Sequence, residues 1–142
     1  MWEKEKTIII KGATIHQLWD THSDVAHWSK WQKDIEWTKV NGEIKKGAKF
    51  TIKPKSGPKV NLEVITFDKP YTFTDVSYLP MTKMYTTTSM KEVNDGVEIK
   101  LQIKMTGWLT FLWKNVVAKD IIKGHQAQNE AMVKFINTQI KK

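Results

Sequence analysis

An apolar stripe at helical spacing runs through the end of the chain without an intervening proline. Its members are Leu109, Leu112, Trp113, Val116, Val117, Ile121, Gly124, Ala131, Met132, Phe135, Ile136 and Ile140. The stripe predicts one helix over residues 109–140, about 48 Å long at 1.5 Å per residue. A compact domain of this size is only about 35–40 Å across. The predicted helix therefore has to cross the whole molecule and lie on a broad partner.

Short β-rich segments that precede this helix supply the partner. Clusters of Asn, Asp, Gly, Ser and Pro break the sequence at residues 41–42, 56–58, 68–70, 79–80 and 94–96. The breaks leave predicted strands at about 35–41, 48–54, 59–68, 71–78, 82–93 and 96–106, after a first strand at residues 2–11. Turn signals at such regular spacing, with no helix between them, favour an antiparallel meander.

The last two predicted strands indicate what the sheet encloses. Residues 97–105 alternate cleanly between apolar and polar side chains, so one face of this strand is buried. A two-residue loop at residues 95–96 turns one row of the preceding strand inward: Met84, Thr86, Thr88 and Met90. A three-residue loop with Gly96 in a bulge turns the other row inward: Tyr85, Thr87 and Ser89. The first register is favoured because the second also buries Lys83 and Lys91. Both place hydroxyl groups inside, which favours a cavity wall over a plain core.

Capping signals predict two short helices after the first strand. Thr14 and Gln17 have the spacing of a capping box, and Ser23 and Asp24 offer a second N-cap for a helix that ends near residue 28. Either Thr110 or Thr106 is the expected cap of the final helix. Gly124 lies on the buried stripe, where it marks either a bend or a close approach of helix to sheet.

Composition restricts the class of protein. The 142 residues suffice for one domain, which we expect to span residues 1–142. The net charge of +8 comes entirely from lysine, and without arginine or a basic block we expect a solvated surface and no specific nucleic-acid partner. There is no cysteine, no recognisable secretion signal and no apolar run long enough to span a membrane. We therefore expect a cytoplasmic protein, with an oligomeric state that the sequence leaves open.

The order of elements resembles the helix-grip fold of the START/SRPBCC superfamily, which includes polyketide-cyclase-like and pollen-allergen-like proteins. Three segments carry the resemblance: residues 24–35 with Trp28 and Trp31, residues 43–50 with Gly47 before Phe50, and Gly107 just before the final helix. The resemblance implies an α+β fold in which a seven-stranded antiparallel sheet wraps around the long C-terminal helix. It also implies an apolar cavity between the sheet and that helix. Members of the superfamily are carriers, sensors, cyclases and dehydratases, so the fold alone does not fix one activity.

The predicted ligand-binding side chains are mostly aromatic, because an apolar pocket with few polar groups is the usual small-molecule site. They are Trp28, Trp31, Phe50, Phe67, Thr86, Thr88, Trp108, Phe111 and Trp113. We expect a hydrophobic small molecule as partner, oriented by threonine hydroxyls and indole N–H groups. No catalytic motif, metal-ligand spacing or cofactor motif is readable, so no cofactor and no metal site are predicted.

Two other functions remain open beside ligand binding. A cyclase or dehydratase would use an inward-facing acid–base group, for which Asp75, Tyr85 and His125 are candidates. The favoured interpretation of Asp75 is an outward position on the wet face of its strand, while His125 fits the pocket and a solvated helix edge equally well. A ribosome- or protein-binding module would instead need a contiguous exposed patch of lysines and aromatic side chains. The prediction leans towards a binding protein that is not an enzyme.

Overall fold

Seven antiparallel strands form one sheet in the order β1-β7-β6-β5-β4-β3-β2. The computed structural model describes residues 2–140, apart from the side chains of Val116 and Ile140. The strands are β1 (Trp2–Ile10), β2 (Ile35–Asn41), β3 (Lys49–Pro54), β4 (Val60–Asp68), β5 (Thr72–Leu79), β6 (Thr82–Val93) and β7 (Gly96–Gly107). Strands β2 to β7 follow one another as neighbours, which confirms the predicted meander. β1 pairs with β7, so β1 and β2 are the two edge strands of the sheet.

The helical elements are shorter than the sequence predicted. α1 (Ile15–Ser23) is followed by a 3₁₀ helix (Val25–Lys30), which together lie between the first two strands. The final region is divided into α2 (Thr110–Trp113), a π-helical turn (Lys114–Ala118), α3 (Lys119–Lys123) and α4 (His125–Ile140). Gly124, with φ −86° and ψ 0°, separates α3 from α4. The N–H of Gly124 donates to the carbonyl of Asp120 and the N–H of Gln128 donates to the carbonyl of Gly124, both over 2.9 Å, so the helical hydrogen bonding continues across this residue. The predicted C-terminal helix is present, with a π-helical turn near its start.

The predicted helix caps have mixed outcomes. The capping box of α1 is confirmed: the N–H of Gln17 donates to Oγ1 of Thr14 over 3.1 Å, and the N–H of Thr14 donates to Oε1 of Gln17 over 2.9 Å. The carboxylate of Asp24 instead lies 2.7 Å from Nδ1 of His27 and caps no backbone N–H. The hydroxyl of Thr110 donates to the carbonyl of Gly107, so this residue stabilises the turn before α2 and does not cap the helix.

The hairpin between β6 and β7 settles which row of β6 faces inward. Val93 pairs with Gly96, so the two loop residues are Asn94 and Asp95, one position earlier than predicted. The observed register differs from the predicted one by two residues, so every side chain of β6 lies on the predicted face of the sheet. The row of Met84, Thr86, Thr88 and Met90 therefore lies opposite the apolar row of β7. We call the side of the sheet that carries these rows the inner face.

Two apolar clusters cover the inner face. The first cluster lies under α1, the 3₁₀ helix and α4, and includes Trp19, Trp28, Phe50, Phe73, Met90, Ile99 and Met132. The second cluster lies under α2, the π-helical turn and α3, and consists of Met84, Leu101, Ile103, Met105, Ala118 and Ile122, with Trp2, Leu79 and Trp113 packed against it. Of the predicted stripe, Met132 and Ile136 are buried, Leu112 is exposed, and the side chains of Val116 and Ile140 lie outside the described residues.

A β-bulge in β4 re-aims the side chains at the centre of the sheet. The pairing of β4 with β5 shifts between Val64 and Thr66. Because side chains alternate along a strand, the extra residue lets Val64 and Phe67 both reach the first cluster although they are three positions apart. Val64 is paired with Asp75, so the bulge begins next to a carboxylate.

Candidate functional site

A group of polar side chains interrupts the apolar inner face between the two clusters. It consists of Asp75 and Ser77 on β5 and Thr86 and Thr88 on β6, and we call it the polar patch. Asp75 lies opposite Thr86, and the other two face Met84 and Phe73 across the same strand pair. Asp75, Ser77 and Thr88 are buried, whereas Thr86 is only half-buried. Thr86 is therefore the member of the patch that solvent reaches.

Asp75 is the most perturbed carboxyl group of the patch. Its side chain shares the inner face with Phe73 and Ser77 and is 7% exposed, so the predicted outward position is wrong. Burial raises the pKa of Asp75 from 3.8 to about 7, and no cation or hydrogen bond offsets that effect. Near neutral pH the carboxyl group therefore populates both a protonated form, which donates a hydrogen bond, and an ionised form, which accepts one.

Two neutral histidines lie in the helical layer above the inner face. The ring of His22 stands edge-on to Phe73 at 5.1 Å, and burial, reinforced by the nearby His125, lowers the pKa of His22 to about 4. Nε2 of His125 donates to the carbonyl of Ile99 over 3.2 Å, while Nδ1 of His125 accepts from Nδ2 of Asn129 over 3.0 Å. Burial lowers the pKa of His125 as well, against the opposing effect of the Ile99 carbonyl. Both rings act as uncharged groups at neutral pH.

Sequence reasoning missed the pair formed by His125 and Asn129, although a signal was present. Ile122, His125, Asn129, Met132 and Ile136 follow one another at intervals of three and four residues, and all five are buried. The predicted stripe left out the two polar members and placed Gly124 and Ala131 on the buried line instead. Of the three acid–base candidates, Asp75 and His125 lie inside, while Tyr85 lies on the opposite face of the sheet, paired with Val76.

Four of the predicted binding side chains belong to the first cluster. Trp28 donates its indole N–H to the carbonyl of His22 over 2.7 Å, and its ring stands edge-on to Phe50 at 5.6 Å. Phe67 makes a similar contact with Phe73 at 5.9 Å. Trp31 is buried with them, and within the described chain its indole N–H has no hydrogen-bond partner. These rings pack against one another in the first cluster, and within the described chain the indole N–H of Trp31 is a hydrogen-bond donor without an acceptor.

The remaining predicted side chains lie in three other places. Thr86 and Thr88 belong to the polar patch. Trp113 packs against the second cluster, and its indole N–H donates to the carbonyl of Pro80 over 3.1 Å. Trp108 and Phe111 point to solvent, with 85% and 64% of their surfaces exposed. The structure thus divides the nine predicted side chains among four separate locations.

Two open grooves on the described surface lie away from the polar patch. One, of about 680 Å³, runs between the end of β1 and α4, and Ile9, Val133 and Lys134 border it. The other, of about 350 Å³, lies next to Asn61, Glu63 and Tyr78. Among the nine predicted binding residues, Phe50 alone borders one of these two grooves.

No group of three or more His, Asp or Glu side chains is placed to hold a metal ion within residues 2–140. None of the helices described there combines the length and apolar character needed to cross a bilayer.

The sequence profile of a family described as polyketide cyclase/dehydrase and lipid transport matches residues 1–134. The chain belongs to this family. Among curated proteins, none matches the chain in sequence. The family assignment confirms the resemblance to the START/SRPBCC superfamily, because that superfamily contains the polyketide-cyclase-like proteins.

Solved structures share the fold of this polyketide cyclase/dehydrase family member at low sequence identity. A hypothetical protein from Helicobacter pylori is 18% identical, with a TM-score of 0.75 over 94% of this chain and 86% of its own. Norcoclaurine synthase from Thalictrum flavum, in complex with dopamine and hydroxybenzaldehyde, is 14% identical, with a TM-score of 0.70 over 96% and 88%. A di-domain aromatase/cyclase of the steffimycin biosynthetic pathway is 8% identical, with a TM-score of 0.71 over 94% of this chain and 48% of its own. At these identities the likeness shows the helix-grip fold alone.

Proposed function

We propose that this protein binds an apolar or aromatic small molecule between the inner face of the sheet and the C-terminal helical segment. The ligand would lie over the polar patch, with Thr86 at the point of access. The single observation that carries the proposal is Asp75, a carboxyl group buried on the inner face without a compensating cation. A buried, uncompensated titratable group is disfavoured in a structural core and typical of a site that meets a ligand.

The surroundings of the patch fit a largely apolar ligand with one or two polar groups. Desolvation of rings and alkyl chains against the two clusters would supply most of the affinity, at about 25 cal/mol per Å² of apolar surface. Asp75 and Thr86 would bind a hydroxyl or carbonyl group of the ligand. The indole N–H of Trp31 and the buried hydroxyl of Thr82, neither of which has a hydrogen-bond partner within residues 2–140, are further groups available to it. Ligands of this kind are also those for which the family is described.

Native mass spectrometry of the protein purified from its own host tests the proposal directly. We expect a retained small molecule that is lost on denaturation, and one saturable site per chain for the fluorescent probe 1-anilinonaphthalene-8-sulfonate. Thr86→Phe should abolish probe binding because its ring fills the access point. Thr87→Phe, one position along and on the outer face, is the matched control and should bind like the wild type.

Two outcomes would contradict ligand binding at this location. A clean apo mass together with no saturable probe binding would exclude a binding protein of the proposed kind. Equal probe binding by Thr86→Phe and the wild type, in variants with unchanged melting temperatures, would place any ligand site elsewhere.

An acid–base enzyme of the cyclase or dehydratase type is the second candidate, and Asp75 is the observation that favours it. A carboxyl group with a pKa near 7 exchanges protons readily at neutral pH, as a general acid or base requires. Asp75→Asn distinguishes the two functions. A carrier would retain the same small molecule in both proteins, whereas an enzyme would retain unconverted substrate in the variant, differing from its product by a rearrangement or by the elements of water.

A further inference from the structure

Four large apolar side chains are exposed together at one end of the molecule. Trp108, Met81, Phe111 and Leu112 have 85%, 65%, 64% and 43% of their surfaces exposed. Met81 lies in the loop between β5 and β6, Trp108 in the turn between β7 and α2, and Phe111 and Leu112 in α2. Two contacts hold these segments side by side: Gly107 pairs with Thr82, and the indole of Trp113 bonds to the carbonyl of Pro80. We call this group of four side chains the apolar tip.

The apolar tip lies in cationic surroundings. Its two segments, residues 79–83 and 107–115, contain Lys83 and Lys114 and no acidic residue. The other loops at this end of the antiparallel sheet, residues 31–34 and 55–59, add three lysines against one acid, Asp34. Lys83 and Glu63 both lie next to Tyr78 on the outer face: the Lys83 ammonium is 5.9 Å from the centroid of the Tyr78 ring, and the Glu63 carboxylate accepts a hydrogen bond from the Tyr78 hydroxyl over 3.5 Å. The tip thus joins exposed rings to lysines.

Charge decides which occupant fits this surface. In a symmetric dimer through the tip, Lys83 and Lys114 would each approach their own copies, and the two chains would each carry a net charge of +8. An anionic surface has no such penalty. Indole rings are favoured at the boundary between lipid and water, and lysine stems extend along apolar surface while their ammonium groups reach the headgroups.

We propose that the apolar tip docks the protein on an anionic lipid surface. Trp108 and Phe111 insert among the headgroups, and Lys83 and Lys114 bind the anionic lipids. Because α2 carries Phe111 and also covers the second cluster, docking brings that end of the inner face to the lipid. The proposal goes beyond ligand binding and does not depend on it.

Co-sedimentation with vesicles tests this docking surface. We expect the protein to pellet with phosphatidylcholine vesicles that contain about 30% phosphatidylserine, and to remain in solution with pure phosphatidylcholine. The double variant W108S/F111S should bind the anionic vesicles at least about tenfold more weakly, because two inserted rings are lost. K83Q/K114Q should weaken binding by about tenfold at low salt. All four side chains are solvent-facing or half-buried, and circular dichroism verifies that the variants remain folded.

Matched controls separate the tip from general effects of charge and hydrophobicity. I9S/Y71S removes two exposed apolar side chains at the opposite end of the sheet, and K45Q/K46Q removes two lysines there. Both should bind nearly like the wild type. The proposal is overturned if the wild type fails to pellet at low salt, or if each tip variant binds no more weakly than its control. Sedimentation equilibrium showing a dimer that W108S/F111S converts to a monomer would assign the tip to a second copy and also overturn it.

Discussion

The two apolar clusters share one sheet but differ in what covers them. In the first cluster, aromatic rings meet edge-to-face at 5.3 Å between Trp19 and Phe67 and at 6.1 Å between Trp19 and Phe73. Its cover consists of α1, which begins with a capping box, and α4, which the pair of His125 and Asn129 attaches to β7. The second cluster is smaller and made largely of aliphatic side chains and methionine. Its cover is a series of short helical segments whose start has no side-chain cap.

This difference indicates that the two halves of β7 contribute to clusters with different roles. Val97 and Ile99 contribute to the first cluster, and Leu101, Ile103 and Met105 to the second, so one alternating strand serves both. The sheet carries the β4 bulge under the first cluster and is regular under the second, so the helical cover, and not the sheet, is what can hold the first cluster more rigidly. We infer that the first cluster is the scaffold, while the π-helical turn and α2 form the side that adjusts to a ligand or a surface. The following predictions test that contrast, in order of decreasing effect.

Truncation of a core side chain should cost more in the first cluster than in the second. Phe73→Ala removes a ring that touches Trp19, Phe67 and His22, and should lower the free energy of unfolding by about 3–5 kcal/mol. Met84→Ala in the second cluster should cost about 2–3 kcal/mol. Urea unfolding of both variants measures the difference. A larger loss for Met84→Ala would contradict the assignment of the first cluster as scaffold.

Asp75, which is buried, and His22, which is half-buried, should give opposite dependences of the free energy of unfolding on pH. The raised pKa of Asp75 means that its contribution is fully present below about pH 4 and is lost as the pH rises to about 7. The lowered pKa of His22 means that its contribution is present above pH 6.5 and is lost as the pH falls to about 4. His125, whose pKa is also lowered, acts in the direction of His22. In the wild type these effects largely offset one another.

Single variants should show separately how Asp75 and His22 make the free energy of unfolding depend on pH. In Asp75→Asn, the free energy of unfolding should fall as the pH decreases from 6.5 to 4, by up to about 3 kcal/mol from His22. In His22→Gln it should fall as the pH increases from 4 to 7, by up to about 4 kcal/mol from Asp75. Urea titrations at half-unit pH steps measure both. Parallel curves for the two variants would show that the groups are not buried as described.

Asn129 in α4 and Asn115 in the π-helical turn offer a matched comparison of the helical segments that cover the first and the second cluster. Each amide donates to the carbonyl four residues earlier, over 2.8 Å and 3.0 Å respectively. Asn129 is buried and also bonds His125, so Asn129→Ala leaves Nδ1 of His125 without a partner and should cost about 1–3 kcal/mol. Asn115→Ala, at an exposed position, should cost less than about 0.5 kcal/mol. Equal losses would remove the distinction between the two attachments.

The smallest expected effect concerns the starts of the two covers. Thr14→Ala removes the side-chain acceptor of a capping box and should lower the free energy of unfolding by about 1 kcal/mol. Thr110→Ala removes a hydroxyl that bonds only the preceding turn, and should change it by less than about 0.5 kcal/mol. Thermal unfolding followed by circular dichroism compares them. A larger effect at Thr110 would show that α2 is capped after all.

Local signals in the sequence determined the strands, the meander and the capping box of α1. Each predicted strand begins and ends within one residue of its observed bounds, because turn residues and the two-residue alternation act over a few positions. The inner row of β6 was also predictable, since a register shift of two residues preserves the face of every side chain. A family resemblance carried by the order of elements was sufficient to predict the overall fold.

Tertiary structure alone decided the inward position of Asp75, the π-helical turn in the final helix and the exposure of Trp108 and Phe111. Asp75 occupies a position that strand propensity disfavours, and only its alignment with Val64 and Thr86 places it inside. The apolar stripe of residues 109–140 is compatible with one long helix, but the sheet beneath it offers cover for only part of that stripe. Periodicity states which side chains share a helix face, whereas burial depends on what lies opposite that face. That partner is set by contacts distant in sequence.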